Sequence, residues 1–177
     1  MSAYTMTIGG RAVGSARSFD VLNPADQSIV AACPEGTTEL VDQAVASART
    51  AFPAWAAVPD AERAAKLNAI ADLIEKHHGE LSQLITREQG KTQSGPGANF
   101  EVGGTVAWTR VTANLTLPEE TIQDDKTGKI VLRRKPVGVV GSITPWNWPM
   151  IIAAWHMRLA RPARLSAPLV GCRRSRR

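Results

Sequence analysis

The sequence predicts an α/β fold in which a strand follows a largely helical region. The run from Pro136 to Ile143, PVGVVGSI, is rich in Val, Ile and Gly. Such an unbroken apolar run suits a strand covered on both faces, as in parallel α/β sheets. Upstream of it, four segments carry apolar residues at helical spacing, and two pairs of short apolar segments flank turn residues. The predicted order is therefore hairpin, four helices, hairpin, strand and helix.

The first hairpin is predicted from Ser18 to Leu22 and from Ile29 to Cys33. Between them lies the turn sequence Asn23-Pro24-Ala25-Asp26, in which Asn starts the turn and Pro fixes φ. A helix capped by Thr37 or Thr38 follows, because a Ser or Thr side chain satisfies the free amides of the first turn. Its apolar face keeps helical spacing through Val41, Ala44, Val45, Ala48, Phe52 and Trp55.

Three more helices are predicted before residue 116. The second starts at Pro59 to Glu62, buries Leu67, Ile70 and Ile74, and breaks at Gly79. The third runs from Glu80 to Gln89 and ends at Gly90, as helices often do. The fourth covers about 98–115, with Val102, Val106 and Ala113 facing inward. Gly103-Gly104 lies inside this helix, where we expect two helices to approach closely.

A second hairpin is predicted from Thr121 to Asp124 and from Lys129 to Arg134, around Asp125-Lys126-Thr127-Gly128. The apolar strand comes next, then the loop PWNWP, residues 145–149, and a helix from about Pro149. Ligands of open α/β sheets bind outside the carboxyl ends of strands. Asn147 is the one amide side chain in that loop, so we expect a functional role for it.

These segments together resemble one known family. PVGVVGSITPWNWPM looks like the strand-and-loop signature of the NAD(P)-dependent aldehyde dehydrogenases. Three upstream segments also resemble the family and occur in the family's order: FDVLNPADQSIVAACPEGTTELVDQAVASARTAFPAWA, DAERAAKLNAIADLIEKHHGEL and REQGK. The resemblance covers about residues 5–157. It implies that residues 1–157 form the N-terminal part of the aldehyde dehydrogenase fold, incomplete by itself. Within it, 121–135 would be an oligomerisation hairpin, and 136–157 the first strand, loop and helix of a Rossmann-like nucleotide-binding sheet.

The resemblance also implies a chemistry, the oxidation of an aldehyde to a carboxylic acid with NAD or NADP. A cysteine thiolate attacks the aldehyde, and a preorganised donor stabilises the resulting oxyanion. Asn147 matches that donor by position, and the backbone of Ile143, Thr144, Pro145 and Trp146 matches the stretch that lines the cofactor.

The other catalytic parts of the family are not found in these 177 residues. The family nucleophile lies in a Gly-Gln-any-Cys context, which neither Cys33 nor Cys172 matches. The base lies in a Glu-Leu-Gly-Gly context, which Glu35, Glu88 and Glu101 do not match. We therefore expect the chain to be inactive by itself. The identity of the aldehyde and the choice between NAD and NADP stay open.

Residues 158–177 differ in composition from the rest, with seven Arg and no Lys, Asp or Glu. The other residues carry 14 basic and 16 acidic side chains, a small acidic excess. The seven arginines of the tail therefore bring the formal net charge to +5. The resemblance ends after His156-Met157, and we expect the tail to result from a frameshift. The alternative is a real basic tail in an interaction protein that binds polyanions. Nucleic acid is not expected as a partner, since the tail lacks interleaved aromatic residues for base stacking.

Bulk properties add four expectations. No stretch approaches the roughly 18 apolar residues that span a bilayer, and the N-terminus lacks a signal-peptide pattern. Together with two cysteines, this indicates a cytoplasmic protein without a disulfide framework. No metal site is expected, because His77 and His78 are adjacent on a helix and cannot face one ion. Without further strands beside the predicted strand, we expect exposed apolar patches and marginal stability.

Two partner types follow from the resemblance. The intact family acts on a small aldehyde, and the hairpin at 121–135 would join subunits into a homo-oligomer. A fragment could also dock onto intact family members through the same hairpin. On the residues alone a solvated hairpin is an equal alternative, with Lys129, Arg133, Arg134 and Lys135 protecting its edge from pairing.

Overall fold

The structure is a computed structural model that describes residues 4–116 and 118–157. Within these ranges the chain forms three separate two-stranded antiparallel sheets and five helices. The strands are β1 (Met6–Ile8), β2 (Arg11–Val13), β3 (Ser18–Leu22), β4 (Ile29–Pro34), β5 (Glu120–Asp125) and β6 (Gly128–Leu132). The helices are α1 (Thr38–Ala57), α2 (Asp60–Lys76), α3 (His78–Gln89), α4 (Ala98–Asn114) and α5 (Pro149–Met157).

Helix α4 is the centre of the packing, in contact with α2, α3 and α5. The inward face predicted for this helix is confirmed, since Val102, Val106 and Ala113 are at most 8% exposed. The main cluster joins α3 to the first turns of α4 through Ile85, Ala98 and Val102, with Ile74, Leu81 and Met150 packed around it. A Cβ on Gly104 would lie 2.8 Å from Cδ1 of Ile151, so α4 and α5 meet closely there, as predicted.

The helix boundaries follow the predicted capping residues with one exception. Thr37 caps α1, its Oγ1 accepting a hydrogen bond from the amide of Leu40, and Gly90 ends α3 with a φ of 78°. The break predicted at Gly79 is wrong. The chain turns at His77, which closes α2 and opens α3, and Gly79 lies in the first turn of α3. A helix tolerates glycine there because its first amides have no intrahelical partner.

The outer faces of α1 and α2 are less buried than the sequence predicts. Leu67 is buried, but Ile70 is 37% exposed, and Ala71 takes the inward position instead. No residue of α1 is fully buried. Among the described elements, α1 packs mainly on β1. The apolar spacing predicted the helices correctly, but their burial depends on neighbours that the spacing does not specify.

The hairpin of β1 and β2 was not predicted. Its turn is Gly9-Gly10, with φ values of 59° and 76°, the left-handed conformation that a tight hairpin turn requires. The signal was available, since a Gly-Gly pair separates two short apolar runs. The hairpin of β3 and β4 matches its prediction, with Asn23 opening the turn and a register shift at Val21/Leu22.

The predicted strand over 136–143 is wrong for the chain as described. Residues 133–148 form no strand, and Val137 and Ile143 are 77% and 96% exposed. A strand exists only through hydrogen bonds to a neighbouring strand, and none of the described strands lies beside this segment. The exposed apolar side chains that the sequence predicted are therefore observed here.

The hairpin of β5 and β6 matches its prediction and is the third separate sheet. Its turn is held by Asp125, whose carboxylate accepts hydrogen bonds from Thr127 and Gln123. These hydrogen bonds, chiefly from the Thr127 side chain, lower the pKa of Asp125 to about 2. Ile130 and Leu132 lie on one face of β6 and are more than 40% exposed. The hairpin therefore presents an apolar face that the rest of the described chain does not cover.

Candidate functional site

The loop PWNWP leads directly into α5. Pro149 is the first residue of this helix, where its missing N–H costs nothing. The carbonyl of Trp148 accepts the hydrogen bond from the amide of Ile152 at 3.3 Å. Asn147 thus lies two residues before the first residue of the helix.

A carboxylate from another helix caps α5. The side chain of Glu101, in the first turn of α4, is completely buried. Its Oε1 accepts hydrogen bonds from the amides of Met150 at 2.8 Å and Ile151 at 3.3 Å. These amides have no partner within their own helix, and a negative charge is favourable beside a helix N-terminus. Glu101 therefore fixes the start of α5 relative to α4.

Lys91 connects this carboxylate to the loop itself. Its Nζ donates to Oε2 of Glu101 at 2.6 Å and to the backbone carbonyl of Asn147 at 2.8 Å. The same ammonium lies 3.9 Å from the ring centroid of Trp148, within the range of a cation–π contact. The Lys91 side chain is only 13% exposed, so these contacts replace most of its hydration. One buried charge thus meets a carboxylate, a carbonyl and an indole.

Two further contacts hold the aromatic part of the loop. Nε2 of Gln89 donates to the carbonyl of Trp146. The ring of Phe100 meets the ring of Trp148 edge-on, with centroids 5.8 Å apart. Gln89 and Lys91 come from the segment REQGK and Trp146 to Trp148 from PWNWP, more than 50 residues later. Two sequence segments that carried the resemblance therefore lie in direct contact.

The link between α3 and α4 aims Lys91 at the loop. Gly90 adopts the left-handed conformation that releases the chain from α3, and a Cβ there would lie 2.8 Å from Cγ of Pro24. The link then closes tightly, with the amide of Ala98 donating to the carbonyl of Thr92 at 2.7 Å. A Cβ on Gly97 would lie 2.0 Å from that carbonyl oxygen, so the link requires glycine there.

The predicted site residues lie along one continuous stretch. Asn147 is exposed, and its backbone carbonyl, not its side chain, accepts the hydrogen bond from Lys91. Ile143 is 96% exposed, Trp146 is 39% exposed, and Thr144 is half-buried. Pro145 is exposed as well. The structure thus brings the predicted donor and the predicted cofactor-lining residues onto one accessible edge, with the loop held from behind by Gln89, Lys91 and Glu101, which we call the loop anchor.

The other titratable candidates lie outside this edge. Cys33 is a half-buried free thiol on β4, and Glu35 pairs with Arg17 at 3.3 Å. Burial raises the pKa of Glu88 on α3. Nδ1 of His77 lies 3.0 Å from the carboxylate of Glu80. Within residues 4–116 and 118–157, no group of His, Cys, Asp or Glu is placed to hold a metal ion. Cys172 lies outside the described residues.

The loop anchor was missed by the sequence reading. The sequence excludes Glu101 as the family's base, because its context does not match, and does not predict its pairing with Lys91. A signal for Glu101 did exist. It occupies the inward stripe of α4 beside Ala98, Val102 and Thr105, and a carboxylate at an apolar position is buried only when paired. Nothing in the sequence pattern indicates which cation pairs with it.

Comparison with known proteins gives one family. The profile of the family described as "Aldehyde dehydrogenase family" matches residues 12–162 and so extends five residues past Met157, after which the sequence predicts that the resemblance ends. A "Probable aldehyde dehydrogenase" of Pseudomonas sp is 39% identical over 173 residues, covering 98% of this chain and 33% of its own length. The phenylacetaldehyde dehydrogenase of Pseudomonas fluorescens is 34% identical over 169 residues, covering 87% of this chain and 33% of its own length.

Solved structures agree with the family match. The NAD⁺ complex of an aldehyde dehydrogenase from Bacillus cereus superposes with a TM-score of 0.86 at 33% identity, over 96% of this chain and 37% of that one. An NAD-dependent benzaldehyde dehydrogenase from Corynebacterium glutamicum gives a TM-score of 0.83 at 30% identity, over 93% and 38%. The chain thus has an incomplete N-terminal part of this fold, and it spans about a third of the length of the curated relatives it matches.

Proposed function

Because the chain belongs to the aldehyde dehydrogenase family, we propose that it supplies the oxyanion donor and one wall of the cofactor site for the oxidation of an aldehyde to a carboxylic acid with NAD(P)⁺. The observation that carries this proposal is the geometry of the loop PWNWP. Its backbone is fixed by buried groups, while the side chain of Asn147 stays exposed.

The role of Asn147 follows from the charge that develops in such a reaction. When a nucleophile adds to an aldehyde, the carbonyl oxygen becomes an oxyanion, and a donor lowers the barrier most when it is already in position. The amide NH₂ of Asn147 is such a donor. Lys91 holds the backbone carbonyl of Asn147 at 2.8 Å, which limits how far the loop itself must move as charge develops. The N-terminus of α5 adds little to this field, because Glu101 already neutralises it.

The residues proposed to line the cofactor fit that role in their accessibility. Ile143, Pro145 and Trp146 are exposed, and Thr144 is half-buried, so a large ligand can approach this edge. When bound, NAD(P)⁺ supplies the acceptor for the hydride that leaves the aldehyde carbon. The chain's own part is to present an apolar, extended backbone edge next to Asn147. Gln89 donates a hydrogen bond to the carbonyl of Trp146, which helps to keep this edge in place.

The test of this proposal uses a chimera. Residues 12–157 replace the matching segment of the Pseudomonas fluorescens phenylacetaldehyde dehydrogenase, and reduction of NAD(P)⁺ is followed with phenylacetaldehyde. Asn147→Ala should lower kcat by about 10²–10³-fold, the usual effect of removing one oxyanion donor. Asn68→Ala, on α2 away from the loop, is the matched control. Equal kcat values in the two chimeras would contradict the assignment of Asn147.

We propose that the 177-residue chain by itself does not oxidise aldehydes. Neither of its cysteines is in the family's nucleophile context, and Cys33, the one in the described part, lies on β4. Purified chain mixed with aldehyde and NAD(P)⁺ should give no NAD(P)H above the blank. Aldehyde-dependent NAD(P)H that is lost on Cys33→Ser or Cys172→Ser would come from a thiolate of the chain itself and would contradict this proposal.

The exposed face of β6 supports a second role, docking to another subunit of the family. Ile130 and Leu132 are 54% and 42% exposed, and Ile122 on β5 is 63% exposed. Three exposed apolar side chains on one small hairpin form an apolar patch, and burying such a patch against a partner is favourable. Light scattering should give an oligomer mass that Ile130→Lys with Leu132→Lys reduces to the monomer. An unchanged mass in this double variant would exclude the hairpin as the contact.

We also propose a reducing, cytoplasmic location. The free thiol of Cys33 supports it, because a thiol kept unpaired is typical of reducing compartments. No helix within residues 4–116 and 118–157 has the length and apolar character to cross a bilayer. Fractionation of cells followed by detection of a peptide from residues 37–63 tests this location.

A further inference from the structure

We infer that Lys91 and Glu101 are positioning residues that set the placement of Asn147 through its main chain. This inference rests on the proposed function, since it assigns a purpose to the exposed Asn147 side chain. The observation behind it is that the contacts from these two residues to the loop end on backbone atoms or on a ring face. Lys91 reaches the carbonyl of Asn147 and the face of Trp148, and Glu101 reaches the amides of Met150 and Ile151.

The arrangement fixes the residue on both sides. Lys91 holds Asn147 at its carbonyl, and Glu101 holds the chain three and four residues later. Lys91 and Glu101 are themselves hydrogen-bonded at 2.6 Å, so the two points at which they hold the loop are fixed relative to each other. Between them, the Trp148 ring contacts Lys91 on its face and packs with the Phe100 ring in an edge-type arrangement, with centroids 5.8 Å apart. The loop therefore has little freedom to rotate Asn147 away from the exposed edge.

Lysine suits this position better than arginine. Its ammonium is a compact point charge with three donors. Here it is shared between a carboxylate oxygen, a carbonyl oxygen and an indole face. A planar guanidinium is larger and has its donors in a fixed fork, so it cannot take up the same three contacts without moving the loop. The substitution Lys91→Arg would therefore preserve the charge and the pairing with Glu101 but displace Asn147.

The experiment compares Lys91→Met, Lys91→Arg and Glu101→Gln in the 177-residue chain, with Arg110→Met as the matched control. Arg110 lies on α4, as Glu101 does, and forms ion pairs with Asp72 and Glu75 away from the loop. The first readout is the shift of the lysine ε-methylene protons in NMR. In the wild type those of Lys91 should be moved upfield by the Trp148 ring current. The second readout is amide exchange at Met150 and Ile151.

We expect Lys91→Met to speed exchange at Met150 and Ile151 at least about tenfold relative to the amides of α3, whereas Arg110→Met leaves this ratio unchanged. Tenfold corresponds to the loss of about 1.4 kcal/mol of local order. If Lys91→Met does not fold, Glu101→Gln decides. It keeps an oxygen acceptor for Met150 but removes the charge that holds Lys91, so the upfield lysine signal should disappear. Retention of that signal with unchanged exchange overturns the inference.

A kinetic arm separates positioning from simple stabilisation. In the chimera described above, Lys91→Arg should lower kcat by about 10²-fold, the order of effect expected of a misplacement near 1 Å, while KM changes less than about threefold. If the wild-type chimera is inactive, the proposed function fails and the NMR and exchange results still decide the positioning. If the chimera is active and Lys91→Arg keeps full kcat, the inference fails and the proposed function stands.

Discussion

The helical region and the segment that follows it differ in how their order is produced. In α4 the residues Val102, Thr105 and Ala113 are at most 1% exposed, and the buried threonine bonds back to the helix. In the segment 133–148, Val137 and Ile143 are exposed, and no strand partner lies beside them among the described residues. Both regions contain several valines and other apolar residues. The difference teaches that an apolar run becomes a core only where neighbours are present to cover it.

The loop PWNWP lies at the boundary between these regions and takes its order from the helical side. Lys91 and Glu101 extend the packing of α4 to the first turn of α5, so Asn147 is held although the segment before it forms no strand. The chain therefore provides only one side of the candidate site. The helical core fixes the backbone of this side, and no described element lies opposite the side chain of Asn147.

The largest expected effect is at Glu101. Glu101→Ala leaves the ammonium of Lys91 buried without its carboxylate and the amides of Met150 and Ile151 without an acceptor. Loss of one partner of a buried pair typically costs about 3–5 kcal/mol. Urea unfolding followed by circular dichroism should show this loss. The control is Glu119→Ala, which removes an exposed ion pair with Arg133 in the segment that follows the helices. It should change the free energy of unfolding little. Equal losses of stability in the two variants would contradict the claim that only the helical side is well packed.

Gly97 gives the next largest effect. A Cβ at this position would overlap the carbonyl oxygen of Thr92, and backbone cannot move aside as a flexible side chain can. Gly97→Ala should therefore cost about 3 kcal/mol, at the upper end of ordinary overpacking. Gly141→Ala is the matched control in the unpaired segment, where nothing lies within 4 Å of the added atom. A tolerated Gly97→Ala in thermal unfolding would show that the link from α3 to α4 is looser than described.

A pair of valines compares the two regions directly. Val102 is completely buried and Val137 is 77% exposed. Removing two buried methyl groups loses about 0.8 kcal/mol each before any cavity cost, so Val102→Ala should destabilise by about 2 kcal/mol. Val137→Ala should leave the unfolding midpoint unchanged. A clear loss from Val137→Ala would mean that the segment is covered in solution, for example by a second copy of the chain.

The smallest effect concerns the turn of the hairpin of β5 and β6. The folded pKa of Asp125 is about 2, below its ordinary 3.8, because Thr127 and Gln123 donate to the carboxylate. A lowered folded pKa stabilises the turn above the unfolded pKa. This contribution should fade as pH falls from about 4 toward 2. The amide proton of Thr127, followed by NMR from pH 6 to pH 1.5, should titrate with a midpoint near 2, and a midpoint near 3.8 would contradict the turn geometry.

The sequence predicted the elements that depend on local chemistry. Thr37 capped α1, Gly90 ended α3, and the turn before Gly128 closed a hairpin, because caps and turns are encoded by single residues. The burial predicted for Ile70 is wrong, and the strand predicted over 136–143 does not form, because both depend on distant partners. The ion pair of Lys91 and Glu101 within the loop anchor was missed for the same reason. These two residues meet only after the link between α3 and α4 has folded.

The measurement that tests this account most directly is hydrogen exchange of the purified 177-residue chain, resolved to single amides. The account predicts slow exchange at Val102 and Val106 in α4 and at Met150 and Ile151 at the start of α5, with near-intrinsic rates from 137 to 144. This result would show a loop ordered by the helical core alone. Fast exchange at Met150 and Ile151, or protection over 137–144 equal to that of α4, would contradict it.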